Sequence, residues 1–294
     1  MDEDARAAAV AMLRAQPGHL LWRAQARVAA QVAATLPGRT DIHAYAALLA
    51  LGVEEPQSQQ SLARMCGVSG TTMTSVAETL QAEGLVERVR NPADRRSYSL
   101  TRTTAGRAAV RRWAPHVRRL EQRLTADLTP AQVARLQELL TKLVGTQLDA
   151  RTPEALRTST GFLVTRAHHR VHREFLAALT PLGIEPRHFG TLRSLSVAGP
   201  MTQGDLGQLL DVSPATVVQL VDHLERAGLV ARERDPLDRR AYLLHLQPAA
   251  ARVVEQAAPH GATIFDAKLG GPGSHDRRDL VDLLRSFVTP TTAT

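Results

Sequence analysis

The sequence predicts a mainly α-helical protein with small β-hairpins, built from two tandem copies of one module. Three observations predict it. First, one stretch recurs without a gap at a constant offset of 144 residues in a chain of 294. Val68-Ser69, Thr72, Leu80 and the run from Gly84 to Leu100 return as Val212-Ser213, Thr216, Leu224 and the run from Gly228 to Leu244, and such a repeat defines the architecture before any fold is assigned. Second, each copy sets apolar residues at helical spacing: Met73, Val76, Ala77 and Leu80 in one, Val217, Leu220, Val221 and Leu224 in the other. Third, each of these helices runs into a glycine stop, Gly84 or Gly228, and then a short strand. An Asn-Pro or Asp-Pro turn carrying Asp-Arg-Arg follows, and a second strand holds Tyr98 or Tyr242.

Taken in order, residues 4–36 read as a long helix with Leu13, Leu20, Leu21, Val28, Val32 and Leu36 on one stripe, interrupted near Pro17-Gly18 and ended by Pro37-Gly38. A helix over 41–51 carries Tyr45, Leu48 and Leu49, matched by Phe189, Leu192 and Arg193 in the second copy; residues 52–57 form a loop. Gln59–Cys66 and Gln203–Leu210 are the first helices of two helix-turn-helix units, the second opened by a Thr202/Asp205 capping box. Ser69 and Ser213 cap the helices that follow, and Pro214 suits a first helical position. Helix, glycine stop, strand, charged turn and strand make a winged helix. Beyond it a helix over 104–126 holds Val110, Trp113, Val117, Leu120 and Leu124. Thr129-Pro130 starts another with Val133, Leu136, Leu139, Leu140 and Leu143, whose counterpart carries Leu280, Leu283, Leu284 and Phe287. A linker over 145–159 divides modules at 1–148 and 149–294, with winged helix-turn-helix regions at 42–101 and 186–245.

Composition narrows the function. Of 36 basic residues only Lys142 and Lys268 are lysines, and the net charge is +7. The excess is +5 up to residue 150 and +2 beyond, a balance that favours nucleic acid as a partner without singling it out. A single cysteine, Cys66, excludes an intramolecular disulfide. The acidic start, Met1 to Arg6, lacks a signal-peptide core, and no apolar run reaches the roughly 20 residues of a membrane span, so the expected location is the cytoplasm with no membrane partner. A nucleophile elbow, a phosphate-binding glycine loop and metal-ligand spacing are all missing, so neither an enzyme nor a cofactor is expected.

The pattern Leu-Val-x-Arg-x-x-(Asn/Asp)-Pro-x-Asp-Arg-Arg-x-Tyr-x-Leu, present twice behind a helix-turn-helix, resembles the MarR family of bacterial transcription regulators. Members of that family are usually single modules that pair as homodimers, whereas this chain carries two. The resemblance implies that the N- and C-terminal helices interlock within one chain, giving a pseudo-two-fold single-chain dimer whose tether keeps the pairing intramolecular. The alternative is a homodimer of tandem chains with four winged helices. It also implies a regulator of double-stranded DNA, read here as a ligand-responsive repressor; a winged-helix scaffold for protein interaction is the rival reading.

In a helix-turn-helix the second helix enters the major groove. Its exposed start offers Gly70, Thr71, Thr74 and Ser75 in one copy, and Pro214, Ala215, Val218 and Gln219 in the other. Hydroxyls face one half-site; an adenine-pairing amide and methyl-seeking apolar groups face the other, so an imperfect palindrome is expected. Ser69 and Ser213 cap and touch phosphate, while Thr72 and Thr216 hold phosphate or pack at the helix turn. From the resemblance, Arg96 and Arg240 enter the minor groove, oriented by Asp94 and Asp238, with Arg95 and Arg239 on phosphate. Arg88, Arg90, Arg232 and Arg234 in the first wing strand suit either phosphate or acidic neighbours. The family's small aromatic effectors direct attention to Trp22, Tyr45, Trp113, Phe162 and Phe189 as pocket candidates, although such residues are more often plain core. His168 and His172 have a metal-compatible spacing on a helix, but the pattern lacks a partner motif and the first copy lacks the histidines, so a surface or interface cluster is expected. Cys66 aligns with Leu210, which marks it as a buried packing residue rather than a redox sensor.

Overall fold

The computed structural model describes residues 3–36, 42–90, 98–235 and 242–289. In chain order the first helices are α1 (Glu3–Ala15), α2 (Pro17–Thr35), α3 (Ile42–Leu51), α4 (Gln59–Cys66) and α5 (Gly70–Ala82), followed by strands β1 (Val86–Arg90) and β2 (Tyr98–Arg102). Next come α6 (Thr104–Leu124), α7 (Pro130–Val144), the short α8 (Glu154–Arg157), α9 (Thr160–Leu179) and α10 (Pro186–Ala198). The second winged region is β3 (Met201–Thr202), α11 (Gln203–Leu210), α12 (Pro214–Arg226), β4 (Val230–Arg234) and β5 (Tyr242–Leu246), and α13 (Pro248–Asp266) and α14 (His275–Val288) complete the order.

Local chemistry explains the boundaries. The long N-terminal helix breaks at Gln16, where Pro17 opens α2 with the fixed φ of a first helical residue. Thr129 and Gln132 form a capping box at the start of α7, and Thr202 and Asp205 form one at α11. After α5 the chain turns through Gly84 at φ 68°, and after α12 through Gly228 at φ 66°, left-handed conformations that a side chain would strain. Leu85 N then donates to Leu80 O at 2.8 Å and Leu229 N to Leu224 O at 2.9 Å, closing both helix ends in the same way. The wing strands are antiparallel, with Arg90 opposite Tyr98 and Arg234 opposite Tyr242.

Two features depart from the sequence reading. β3 adds a third strand in the second copy, pairing Met201 with Leu244, where the first copy has only a bridge between Gln57 and Leu100. The linker over 145–159 is not all loop, because it contains the one-turn α8.

The chain divides into two compact units, and they cut it differently from the repeat. One unit is Met1–Trp22 with His169–Arg285; the other is Arg23–His168 with Ser286–Thr294. In the first, Ala9 and Leu13 of α1 join Leu192, Leu195, Met201, Leu206, Val217, Val221, Leu224 and Leu244 in one core. In the second, Leu156 of α8 joins Leu48, Leu51, Leu62, Met65, Met73, Leu80, Val86 and Leu100, and Thr152 donates to Met65 O at 3.1 Å. Each winged helix is thus completed by an N-terminal segment of the other copy. Burying such side chains contributes on the order of 1.5–3 kcal/mol apiece, enough to fix which segment docks where.

Candidate nucleic-acid interface

Both recognition helices are built alike. Ser69 Oγ accepts from Thr72 N at 3.0 Å and Ser213 Oγ from Thr216 N at 3.3 Å, each satisfying an otherwise orphaned helix donor. The paired hydroxyls lie 2.8 Å apart in the first copy and 2.9 Å in the second. Thr72 and Thr216 are half-buried, with their hydroxyls against those of the capping serines. Met73, Val76, Ala77 and Leu80 seat α5 on its core, as Val217, Leu220, Val221 and Leu224 seat α12.

That seating turns the expected readers outward. Gly70, Thr71, Thr74 and Ser75 are exposed on α5, and Pro214, Ala215, Val218 and Gln219 on α12. The Thr74 hydroxyl donates back to Gly70 O at 3.0 Å and so keeps its lone pairs outward. Val218 is 44% exposed, a large apolar side chain held in water on the outer face. One face therefore offers hydroxyls and the other an amide among apolar groups, although the scaffolds beneath them match.

At the wings the structure places Arg90 and Arg234 on the exposed last rungs of the described hairpins, opposite exposed Tyr98 and Tyr242. Asp94, Arg95, Arg96, Asp238, Arg239 and Arg240 lie outside the described residues. Arg232 takes the acidic option left open by the strand pattern: its guanidinium pairs with Asp222 at 2.5 Å and with Glu225 on α12. With its amide oxygen turned toward the guanidinium, Gln203 at the start of α11 accepts from the same arginine at 3.0 and 3.1 Å. The counterpart Arg88 is exposed, and among the described residues it makes no ion pair.

Sequence reasoning missed a histidine pair behind α12. His188 is 1% exposed, its ring is stacked on His223 with centroids 4.0 Å apart, and its Nδ1 accepts from Glu185 N at 3.1 Å. Burial first, and the neighbouring His223 second, push His188 down to about 4 from the usual 6.5. The first copy has Ala44 and Thr79 at these positions, so repetition gave no signal.

The other candidates resolve plainly. Tyr45 and Trp113 are buried in one core with Phe162 against it, whereas Phe189 and Trp22 belong to the other unit, where Phe189 meets Phe175 edge-on at 5.5 Å. Cys66 is buried, and burial pushes its thiol up to about 12, well above where a thiolate forms. His169 and His172 are exposed on α9, and among the described residues no group of three His, Cys, Asp or Glu side chains is placed to hold a metal. No helix of the described residues is long and apolar enough to cross a membrane.

Comparison with known proteins places these elements. The sequence pattern of the MarR family matches residues 38–97 and again 182–241. The HTH-type transcriptional repressor NicR of Pseudomonas putida is 30% identical over 137 residues, which span 47% of this chain and 87% of that protein. The uncharacterized HTH-type transcriptional regulator YcgE of Bacillus subtilis is 47% identical over 68 residues, 23% of this chain and 44% of that one. Among solved structures, the PcaV transcriptional regulator of Streptomyces coelicolor in complex with its natural ligand is 28% identical, covering 43% of this chain and 90% of that one with a TM-score of 0.42.

Proposed function

Because the chain belongs to the MarR family of transcription regulators and carries two of its winged-helix modules, we propose that it is a sequence-specific DNA-binding repressor reading two unlike half-sites of one operator. The family consists of transcription regulators rather than enzymes, and the repressor assignment draws on NicR. The observation that carries the half-site reading is the pair of identically capped recognition helices with chemically different outer faces. In this reading α5 and α12 enter successive major grooves. Thr71, Thr74 and Ser75 offer hydroxyls to one half-site; Gln219 pairs with adenine while Ala215 and Val218 lie on thymine methyls in the other. Ser69, Thr72, Ser213 and Thr216 hold phosphates at the two helix N-termini. Arg96 and Arg240 reach the minor groove with Asp94 and Asp238 orienting them, and Arg90, Arg95, Arg234 and Arg239 lie along the backbone.

Both reading heads reside in one polypeptide, so the acting species is a monomeric pseudo-dimer located with the genome in the cytoplasm. The exchange of N-terminal segments inside each compact unit supports this. A solution mass near 31.9 kDa is expected, and twice that value means a dimer of tandem chains instead. A small aromatic effector releases the DNA by preferring one spacing of the two heads; a panel of phenols and aromatic acids that leaves operator affinity unchanged removes this part of the reading.

Sequencing of genomic fragments retained by the purified protein tests the function. The expected result is one motif with two unlike half-sites spaced by about 10–10.5 bp. A perfect palindrome refutes the division between the heads, and no enrichment at low salt refutes DNA recognition. Arg96→Ala with Arg240→Ala is expected to abolish specific binding while the protein stays folded; unchanged affinity at moderate salt sinks the wing assignment.

A further inference from the structure

We infer that the two modules divide the work of holding DNA: Arg88 grips a phosphate in the first, whereas its counterpart Arg232 is a positioning residue that locks the wing strand of the second to its recognition helix. The inference rests on the DNA-binding reading and deepens it. Arg232 is spent inside the protein. It is held by Asp222 and Glu225 of α12 and by Gln203 of α11, so three elements of the second module meet at one guanidinium. Its own backbone N donates to Glu225 Oε1 at 3.3 Å, which ties β4 to α12 a second time. The first module keeps Gln59 and Arg88 but has Glu78 and Gln81 where the second has Asp222 and Glu225. One of the two charges is missing there, and Arg88 is exposed without an ion pair among the described residues.

The surrounding charge runs the same way. Residues 58–102 carry six arginines against four carboxylates, and the matched residues 202–246 carry five against seven. The first winged region is therefore net positive toward a polyanion and the second net negative. Electrostatic affinity belongs mainly to the first, while the second contributes a recognition helix whose orientation is fixed by the Arg232 clamp. An arginine that neutralises a phosphate releases a counterion and steepens the salt dependence; an arginine already paired within the protein does neither.

The test is the salt dependence of binding by the full chain to a random-sequence duplex, repeated with a fragment recovered by genomic selection. Arg88→Gln is expected to lower the slope of log K against log salt by about 0.9 on both DNAs. Arg232→Gln is expected to leave the slope on random DNA unchanged while reducing the preference for the selected fragment several-fold. Asp222→Asn with Glu225→Gln releases the arginine without removing it, and this variant is expected to steepen the slope on random DNA by about one unit. A fall in slope with Arg232→Gln equal to that with Arg88→Gln overturns the division of labour, as does an unchanged slope in the double variant. If the wild-type chain binds neither DNA at low salt, the DNA-binding reading falls and this inference falls with it; wild-type binding with equal slopes in both single variants removes this inference alone.

Discussion

Removing the carboxylate of Glu121 is expected to unfasten the start of α9. Glu121 lies on α6 and accepts three hydrogen bonds: from Ser159 Oγ at 2.5 Å, Thr160 N at 3.0 Å and Gly161 N at 3.0 Å. The two amides are among the first donors of a helix and have no partner within it. Thr160 and Gly161 are buried, so in Glu121→Ala these amides lose their acceptor where water reaches poorly. Leaving a buried donor unsatisfied costs about 1–3 kcal/mol, and a lost cap alone about 1 kcal/mol. Ser159 Oγ still accepts from Phe162 N at 3.1 Å, so one cap survives the substitution. The sum expected is about 2–3 kcal/mol for opening this helix end, which at 1.4 kcal/mol per decade is roughly 30–100-fold in amide exchange. Native-state hydrogen exchange at Thr160 and Gly161 reads this directly, with amides in the α5 core as the internal reference. Glu121→Gln keeps one acceptor oxygen and loses the charge, so its effect falls between wild type and alanine. Unchanged protection at both amides in Glu121→Ala would falsify the capping role, and an equal loss in alanine and glutamine variants would assign it to charge rather than to hydrogen bonding.

Three further outcomes are expected. His188 titrates near 4 in the fold against 6.5 in the open chain, so between those values the unfolded state binds the extra proton and stability falls as the pH is lowered. The loss is at most roughly 3 kcal/mol, and urea unfolding of His188→Gln should show a flatter profile than wild type over that window; parallel profiles refute it. Gly106→Ala should destabilise by about 2 kcal/mol, because a Cβ there would run into the Leu85 carbonyl, and an unshifted urea midpoint contradicts that close approach. Gln219→Ala should relax base preference in one half-site only, by about 1–3 kcal/mol in competition with altered duplexes; a change in both half-sites argues against separate readers.

The elements that local chemistry dictates were legible in the sequence. Serine caps, glycine stops and apolar spacing mark α5 and α12, and a Thr202/Asp205 capping box marks α11, because each signal lies within a few residues of the structure it specifies. β3 escaped because two residues, Met201 and Thr202, are too short to show alternation. α8 escaped because four residues in a Pro- and Thr-containing linker have no periodicity to read. Tertiary partners were harder still. The apolar stripe of α1 predicts a buried face but not the core that buries it, and only the fold shows Ala9 and Leu13 beneath the second winged helix. Strand alternation likewise left Arg232 open between phosphate and carboxylate, since Asp222 and Glu225 reach it only once α12 and β4 are packed.

What the duplication gains is visible where matched positions no longer match. Glu121 of the first copy caps residues 159–161 of the second through polar bonds. Its counterpart, Phe265, instead packs at the start of α2, where a Cβ on Gly18 would sit 3.8 Å from the ring. Two reciprocal junctions thus use unlike chemistry, one a carboxylate on helix donors and the other an aromatic ring over a glycine. Gly106 and Ala250 diverge in the same way: the first lies so close to the Leu85 carbonyl that a methyl is excluded, while the second carries that methyl buried. In a homodimer every such junction occurs twice with the same residues, so a substitution must suit both sites at once. With both copies in one chain that constraint is lifted, since each junction answers only to its own partner. The recognition helices stand under the same freedom. The matched positions Thr74 and Val218, and Ser75 and Gln219, differ under the same freedom as Glu121 and Phe265, and the proposal of an asymmetric operator draws on that difference.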